Sequence, residues 1–142
     1  MNLEELTLDI EQHIEVRAPI AEVFEGMVKQ LSERSTMPDG SPLPLVLELR
    51  PGGRWYRDLG SEAGHLWGHV QVVKPPRLLE LSGPLFMSYP AANHVQVRLE
   101  EAGDVTRVTL RHQALGKIDP NHRAGVGEGW KNYLTQIKSH CE

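Results

Sequence analysis

The segment that most restricts the fold is the closing one, where Asp119-Pro120 opens a single long helical pattern after a series of short strand-like runs. Asp119 is suited to cap free amide groups at a helix entrance, and Pro120 follows where its missing N–H costs nothing. Val126, Trp130, Tyr133 or Leu134, Ile137 and Cys141 then recur at helical spacing, with Lys131, Asn132, Gln136 and Lys138 on other faces. About twenty residues at ~1.5 Å rise give roughly 30 Å, the length of a ten-residue strand at ~3.3 Å per residue. One helix of this length can cover a sheet, and it is the only large one the sequence offers. Trp130 and Tyr133 are then either ordinary core residues or the wall of a cavity between helix and sheet.

Upstream, Leu8, Ile10, Ile14 and Val16 alternate with charged or polar residues, the pattern of a half-buried strand in which only Gln12 interrupts the apolar face. Pro19 opens a short amphipathic helix carrying Ile20, Val23, Phe24, Met27 and Leu31 on one side. Gly26 inside that helix implies a bend or a closely packed neighbour. Residues 32–43, rich in Ser, Pro and Gly, read as a loop. Extended runs follow at Pro44–Leu49, Arg54–Leu59, His65–Val73, Leu78–Ser82, His94–Leu99 and Val105–His112, separated by turn-forming clusters such as Pro51-Gly52-Gly53 and Ala102-Gly103-Asp104. Short intervals of this kind mark antiparallel hairpins. Strand, helix, several strands and a long helix make an α+β chain, expected to form one domain over residues 1–142.

Composition narrows the partners. Fifteen basic and nineteen acidic residues leave a net charge of −4 with no basic stripe, so neither nucleic acid nor an anionic membrane surface is an expected partner. No run approaches the ~20 apolar residues that cross a bilayer. Cys141 is the one cysteine, which suits a reducing compartment, and no secretory leader pattern opens the sequence; a cytoplasmic location is expected.

The strand followed by Ala18-Pro19-Ile20-Ala21-Glu22-Val23-Phe24, the Arg50-Pro51-Gly52-Gly53-Arg54-Trp55 turn, the run Gly68 to Leu78 with its Lys74-Pro75-Pro76-Arg77 turn, the Thr106–His112 strand and the terminal Gly129-Trp130 helix together resemble the bacterial activator of heat shock protein 90 ATPase homologue proteins. That family lies in the START-like, Bet v-like or SRPBCC superfamily. The resemblance implies a helix-grip fold, in which a curved antiparallel sheet wraps the C-terminal helix and leaves a cavity. It does not fix function: relatives bind lipids or other apolar molecules, some act on polyketide-type substrates, and the eukaryotic namesakes stimulate a chaperone ATPase. Those co-chaperones carry a further N-terminal domain for which 142 residues leave no room, so chaperone activation is not carried over.

Alternation places Val108, Leu110 and His112 on one face, and Trp55 with Arg57 on one face of another strand. An inward His112 is either a hydrogen-bonded core imidazole or a group that orients a ligand or moves its proton. An inward Arg57 has to meet an acid, reach solvent, or bind an anionic ligand group. His65 and His69, four apart on a strand, are separated by ~13 Å and cannot share one zinc; His65, Trp67 and His69 instead read as one face. Glu80 between Leu79 and Leu81 reads as solvent-facing, and Cys141 as part of a fraying helix end. Gly125, Gly127 and Gly129 suggest close approach by the sheet or a ligand, and Phe86, Met87 and Tyr89 a flap over a cavity mouth.

The expected function is therefore binding of a small or medium apolar molecule between sheet and helix. Trp55, Trp67, Phe86, Tyr89, Val126, Trp130, Tyr133 and Leu134 are the candidate apolar contacts, and Arg57 and His112 the polar orienting groups. No nucleophile motif, metal cluster or cofactor fingerprint is found, so no catalytic residue, metal or cofactor is assigned. Two alternatives stand beside this reading: a protein-interaction module with a filled interior and an exposed apolar patch, and a cyclase- or hydrolase-type enzyme using His112 with Arg57.

Overall fold

A computed structural model describes residues 2–142. After a short 3-10 turn, Leu3–Leu6, the chain runs β1 (Thr7–Val16), α1 (Ile20–Leu31), β2 (Val46–Leu47), β3 (Arg54–Gly60), β4 (Ala63–Lys74), β5 (Leu78–Gly83), β6 (Ala91–Ala102), β7 (Val105–Gly116) and α2 (Pro120–Cys141). The strands form one antiparallel sheet in the order β1-β7-β6-β5-β4-β3-β2, so the first strand pairs with the last and only β1 and the two-residue β2 are edges. This is the expected helix-grip arrangement.

The entrance of α2 is built as its sequence requires: the Asp119 carboxylate accepts from the backbone N–H of Asn121 at 2.9 Å, with Pro120 at the first helical position. Its last turns are fixed to the start of the chain. Lys138 Nζ donates to the Glu15 carbonyl at 3.0 Å, and the Glu142 carboxylate accepts from the Arg17 backbone N–H at 2.8 Å. Cys141 is consequently held in the helix instead of fraying. Its Sγ lies where a Cβ on Gly26 would fall, 2.6 Å away, which explains the glycine in α1: the two helices touch there. Gln12, the break in the apolar face of β1, donates through Nε2 to the Gly127 carbonyl of α2 at 2.8 Å.

α2 therefore packs on β1 and α1, at one side of the curl. The inward residues Val95, Val97 and Leu99 of β6 and Val108 and Leu110 of β7 are fully buried beneath it, together with Val16, Val23, Met27, Leu79 and Leu81. On the outer face charges pair across strands, Arg111 with Asp9 and Arg107 with Glu15 among them.

Three boundaries differ from the sequence expectation. The run from Pro44 forms only two residues of strand, because Leu43 and Leu45 turn inward to the core without laddering. β6 and β7 extend well beyond His94–Leu99 and Val105–His112, since hairpin pairing carries the ladder through polar ends. β4 contains a bulge: Trp55 pairs with Gly68 and Tyr56 with Leu66, leaving Trp67 as the extra residue.

Candidate functional site

The bulge in β4 shapes the site. It turns Trp67 toward the interior beside Trp55, with ring centroids 5.1 Å apart, and shifts the alternation beyond it. His65, opposite Arg57, faces the interior, whereas His69, opposite Arg54, falls on the outer face. The three residues expected to share one face are thus divided. Gly68 permits the arrangement, since a Cβ there would lie 2.7 Å from the Ser82 carbonyl oxygen.

Because α2 sits against β1 and α1, it does not reach the curled β3–β4 end of the sheet, and a half-open cavity of about 710 Å³ remains between them. Trp55, Trp67 and Phe86 form one wall, Val126, Trp130 and Tyr133 of α2 the other, and residues of the 35–43 loop close the end nearest α1. Along α2, Gly125 and Gly129 face the opening with nothing within 4 Å of where a Cβ would project. Close approach by the sheet is therefore not their reason; each keeps space open. A helix-interior glycine costs about 1 kcal/mol relative to alanine.

The aromatic walls are fixed from behind by their polar handles. The Trp55 indole N–H donates to the Leu31 carbonyl at the end of α1 at 2.8 Å, and the Tyr133 hydroxyl donates to the Met27 carbonyl at 3.2 Å. Burial raises the Tyr133 hydroxyl well above its ordinary range, so it remains a neutral donor. Trp130 N–H donates to His112 Nδ1 at 2.9 Å, with the two rings edge to face.

His112 itself does not line the cavity. It is fully buried behind Trp130, with Nε2 2.7 Å from Asn93 Oδ1, and Asn93 Nδ2 donates to the Pro84 carbonyl at 3.2 Å. The chain of bonds leaves no choice of tautomer. An indole can only donate, so Nδ1 accepts; Nε2 then carries the proton and donates to Asn93. Burial, aided by His122, lowers the imidazole pKa to about 4, keeping it neutral at ordinary pH. Neither nitrogen is free for a substrate, which removes the acid–base partnership with Arg57. His112 is a core imidazole that links the segment after β5 to β6, β7 and α2.

Two more expected contacts lie elsewhere. Leu134 is buried in the core on the β1 side of α2, one helical position away from the cavity stripe. Tyr89 packs outside the cavity, where its hydroxyl meets His122 Nδ1 at 2.6 Å above a surface depression shared with Lys117 and Arg123. The expected flap is likewise reassigned. Leu85 and Met87 are buried in the core, and only Phe86 of this segment reaches the cavity wall, stacking near Trp67 and His122. Glu80 is outward but mostly covered. Partial burial pushes its carboxyl up, yet hydrogen bonds from Gln96 and His94 outweigh it and hold the group below its ordinary range.

Arg57 is half-buried in the wall with no ion pair among the described residues. Sequence reading missed Gln30. Its apolar helix neighbours gave no signal, yet it is 5 % exposed, borders the cavity, and carries the one buried side-chain polar atom without a hydrogen-bond partner among the described residues, Oε1.

The fold is shared by several solved structures. Protein CV1439 from Chromobacterium violaceum superposes with a TM-score of 0.75 at 15% identity, covering 94% of this chain and 96% of its own. The Aha1 dimer from Colwellia psychrerythraea gives 0.64 at 14% identity, with 95% and 96% covered. CalU16 from Micromonospora echinospora gives 0.59 at 25% identity, with 94% and 73% covered. No curated protein matches the chain in sequence. A family model described as activator of Hsp90 ATPase homolog 1-like protein matches residues 17–142, which hold β2 to β7 and both helices, and the chain belongs to that family.

Proposed function

We propose that this protein binds a small, largely apolar molecule in the cavity between the β3–β4 end of the sheet and α2. The fold is commonly a ligand-binding scaffold. The observation that carries the reading is the cavity's construction: large rings line it, the polar atoms of Trp55, Trp130 and Tyr133 are directed away into the backbone of α1 and the His112 chain, and α2 presents glycines where side chains would fill the space. A volume of about 710 Å³ lies within the ~300–1,000 Å³ range of small-molecule sites. An unfilled interior is also the opposite of what the protein-interaction alternative requires.

All three tryptophans of the chain, Trp55, Trp67 and Trp130, line this cavity, so intrinsic fluorescence reports its occupancy. Titration with 2-naphthol, a small planar aromatic, is expected to change the tryptophan emission saturably. The same titration on Gly129→Leu, whose added side chain would occupy the opening, is expected to give no saturable change. Equal binding by both proteins would remove the cavity as the site.

A further inference from the structure

Three rings that line the cavity have committed their polar atoms: the indole N–H of Trp55, that of Trp130 and the Tyr133 hydroxyl each donate to a protein acceptor. His122 is a lining ring of a different kind. It stands in the first turn of α2, where the Asp119 carboxylate accepts from its backbone N–H at 3.4 Å. Its imidazole rests near the Phe86 ring, centroids 4.9 Å apart, and its Nδ1 lies 2.6 Å from the Tyr89 hydroxyl oxygen. Main chain and side chain are both held in place.

Tyr89 settles where the ring keeps its proton. Burial raises this hydroxyl above its ordinary range, against an opposing pull from the Asp119 backbone N–H, so it stays a protonated phenol. A phenol beside a basic ring nitrogen donates to it; Nδ1 therefore accepts, and the neutral imidazole carries its own proton on Nε2. An imidazolium carries a proton on Nε2 as well, so this nitrogen is a donor in either state.

The two ring nitrogens point nearly opposite ways across an imidazole. Tyr89 lies outside the cavity, on the surface depression with Lys117 and Arg123, so Nδ1 is turned outward and Nε2 toward the side on which His122 borders the cavity. No acceptor meets Nε2 among the described residues. Gly125, one turn further along α2, keeps this region uncovered. Helical side chains lean toward the N-terminus, so a side chain at 125 would lie over the turn that holds His122, and nothing stands within 4 Å of where its Cβ would project.

From this placement we infer that His122 Nε2 is the donor that orients the ligand, and that the ligand is an aromatic molecule carrying a ketone-type carbonyl oxygen. A donor in both protonation states calls for a partner that accepts, and a carbonyl accepts without bringing a charge into an apolar space. The inference rests on the cavity being a binding site, and the test separates the two statements.

Isothermal titration of the full chain with 2-acetonaphthone and with 2-isopropenylnaphthalene, in which a methylene replaces the carbonyl oxygen at nearly the same shape, isolates this one bond. The ketone is expected to bind about tenfold more tightly. His122→Phe keeps a ring beside Phe86 but has no donor, and should bind both compounds alike. Tyr89→Phe leaves His122 in place but frees Nδ1, and should shrink the preference. Nitrogen chemical shifts of the unaltered protein should show the His122 proton on Nε2, with that signal moved by the ketone and not by the alkene; they decide the matter even where His122→Phe fails to fold. Equal affinities on the unaltered protein, or a preference that survives in a folded His122→Phe, would overturn the inference while leaving the cavity as a site. Binding by neither compound would overturn both.

Discussion

Lowering the pH should destabilise this protein through His112. The folded imidazole is neutral with a pKa of about 4, against 6.5 for an unburied histidine. Above pH 6.5 both states are neutral and the group contributes no pH dependence. Between pH 6.5 and about 4 the unfolded chain takes up a proton that the folded one refuses, so stability is lost as pH falls. The full gap corresponds to about 3 kcal/mol, of which about 2 kcal/mol is lost by pH 5. Carboxylates held below their ordinary range, such as Asp9, Glu48 and Glu80, add their own losses at lower pH, and a difference measurement cancels them. Urea unfolding followed by far-ultraviolet circular dichroism at pH 7.5 and pH 5, on wild type and on His112→Gln, reads this term. Wild type should lose about 2 kcal/mol more than the variant. Parallel pH profiles would refute the neutral, doubly bonded imidazole, as would nitrogen chemical shifts showing the proton on Nδ1.

Three further outcomes follow from the packing. Gly129→Leu should raise thermal stability, since a helix-interior glycine gives up about 0.8–1 kcal/mol relative to a good helix former and nothing lies within 4 Å of the added Cβ; a lowered melting temperature would mean the space is not open. Leu134→Ala should cost roughly 2–5 kcal/mol in urea unfolding yet leave 2-naphthol affinity unchanged, because this side chain is core and not cavity wall. Gly26→Ala should destabilise the native chain through the Cys141 sulfur but stabilise a Cys141→Ala background, a coupling of about 1 kcal/mol or more in a double-mutant cycle; additivity would show the helices do not touch there.

Much of this fold was legible because hydrophobic alternation and helix capping act locally. Val108, Leu110 and His112 are inward as their spacing required, and Asp119 caps α2 as its position required. What escaped depends on tertiary packing. The bulge at Trp67 is set by Gly68 lying against Ser82, a strand away, and it separates His65 from His69, which strict alternation joins. His112 was readable as inward, but whether an inward imidazole meets a ligand or a tryptophan depends on which turn of α2 lies over it. Tyr89 and Met87 share a short apolar segment with Phe86, and no periodicity tells which of the three turns toward the cavity. Gln30 carried no signal because an amide becomes informative only when the partners around it are counted.

The claim on which the functional reading depends is that the space beside Trp130 holds a small molecule. Native mass spectrometry of the protein purified gently from its own host tests this directly. The expected spectrum contains a population heavier than the polypeptide by one small organic molecule, released on activation and displaced by 2-naphthol. A bare polypeptide mass that stays unshifted by 2-naphthol would contradict it.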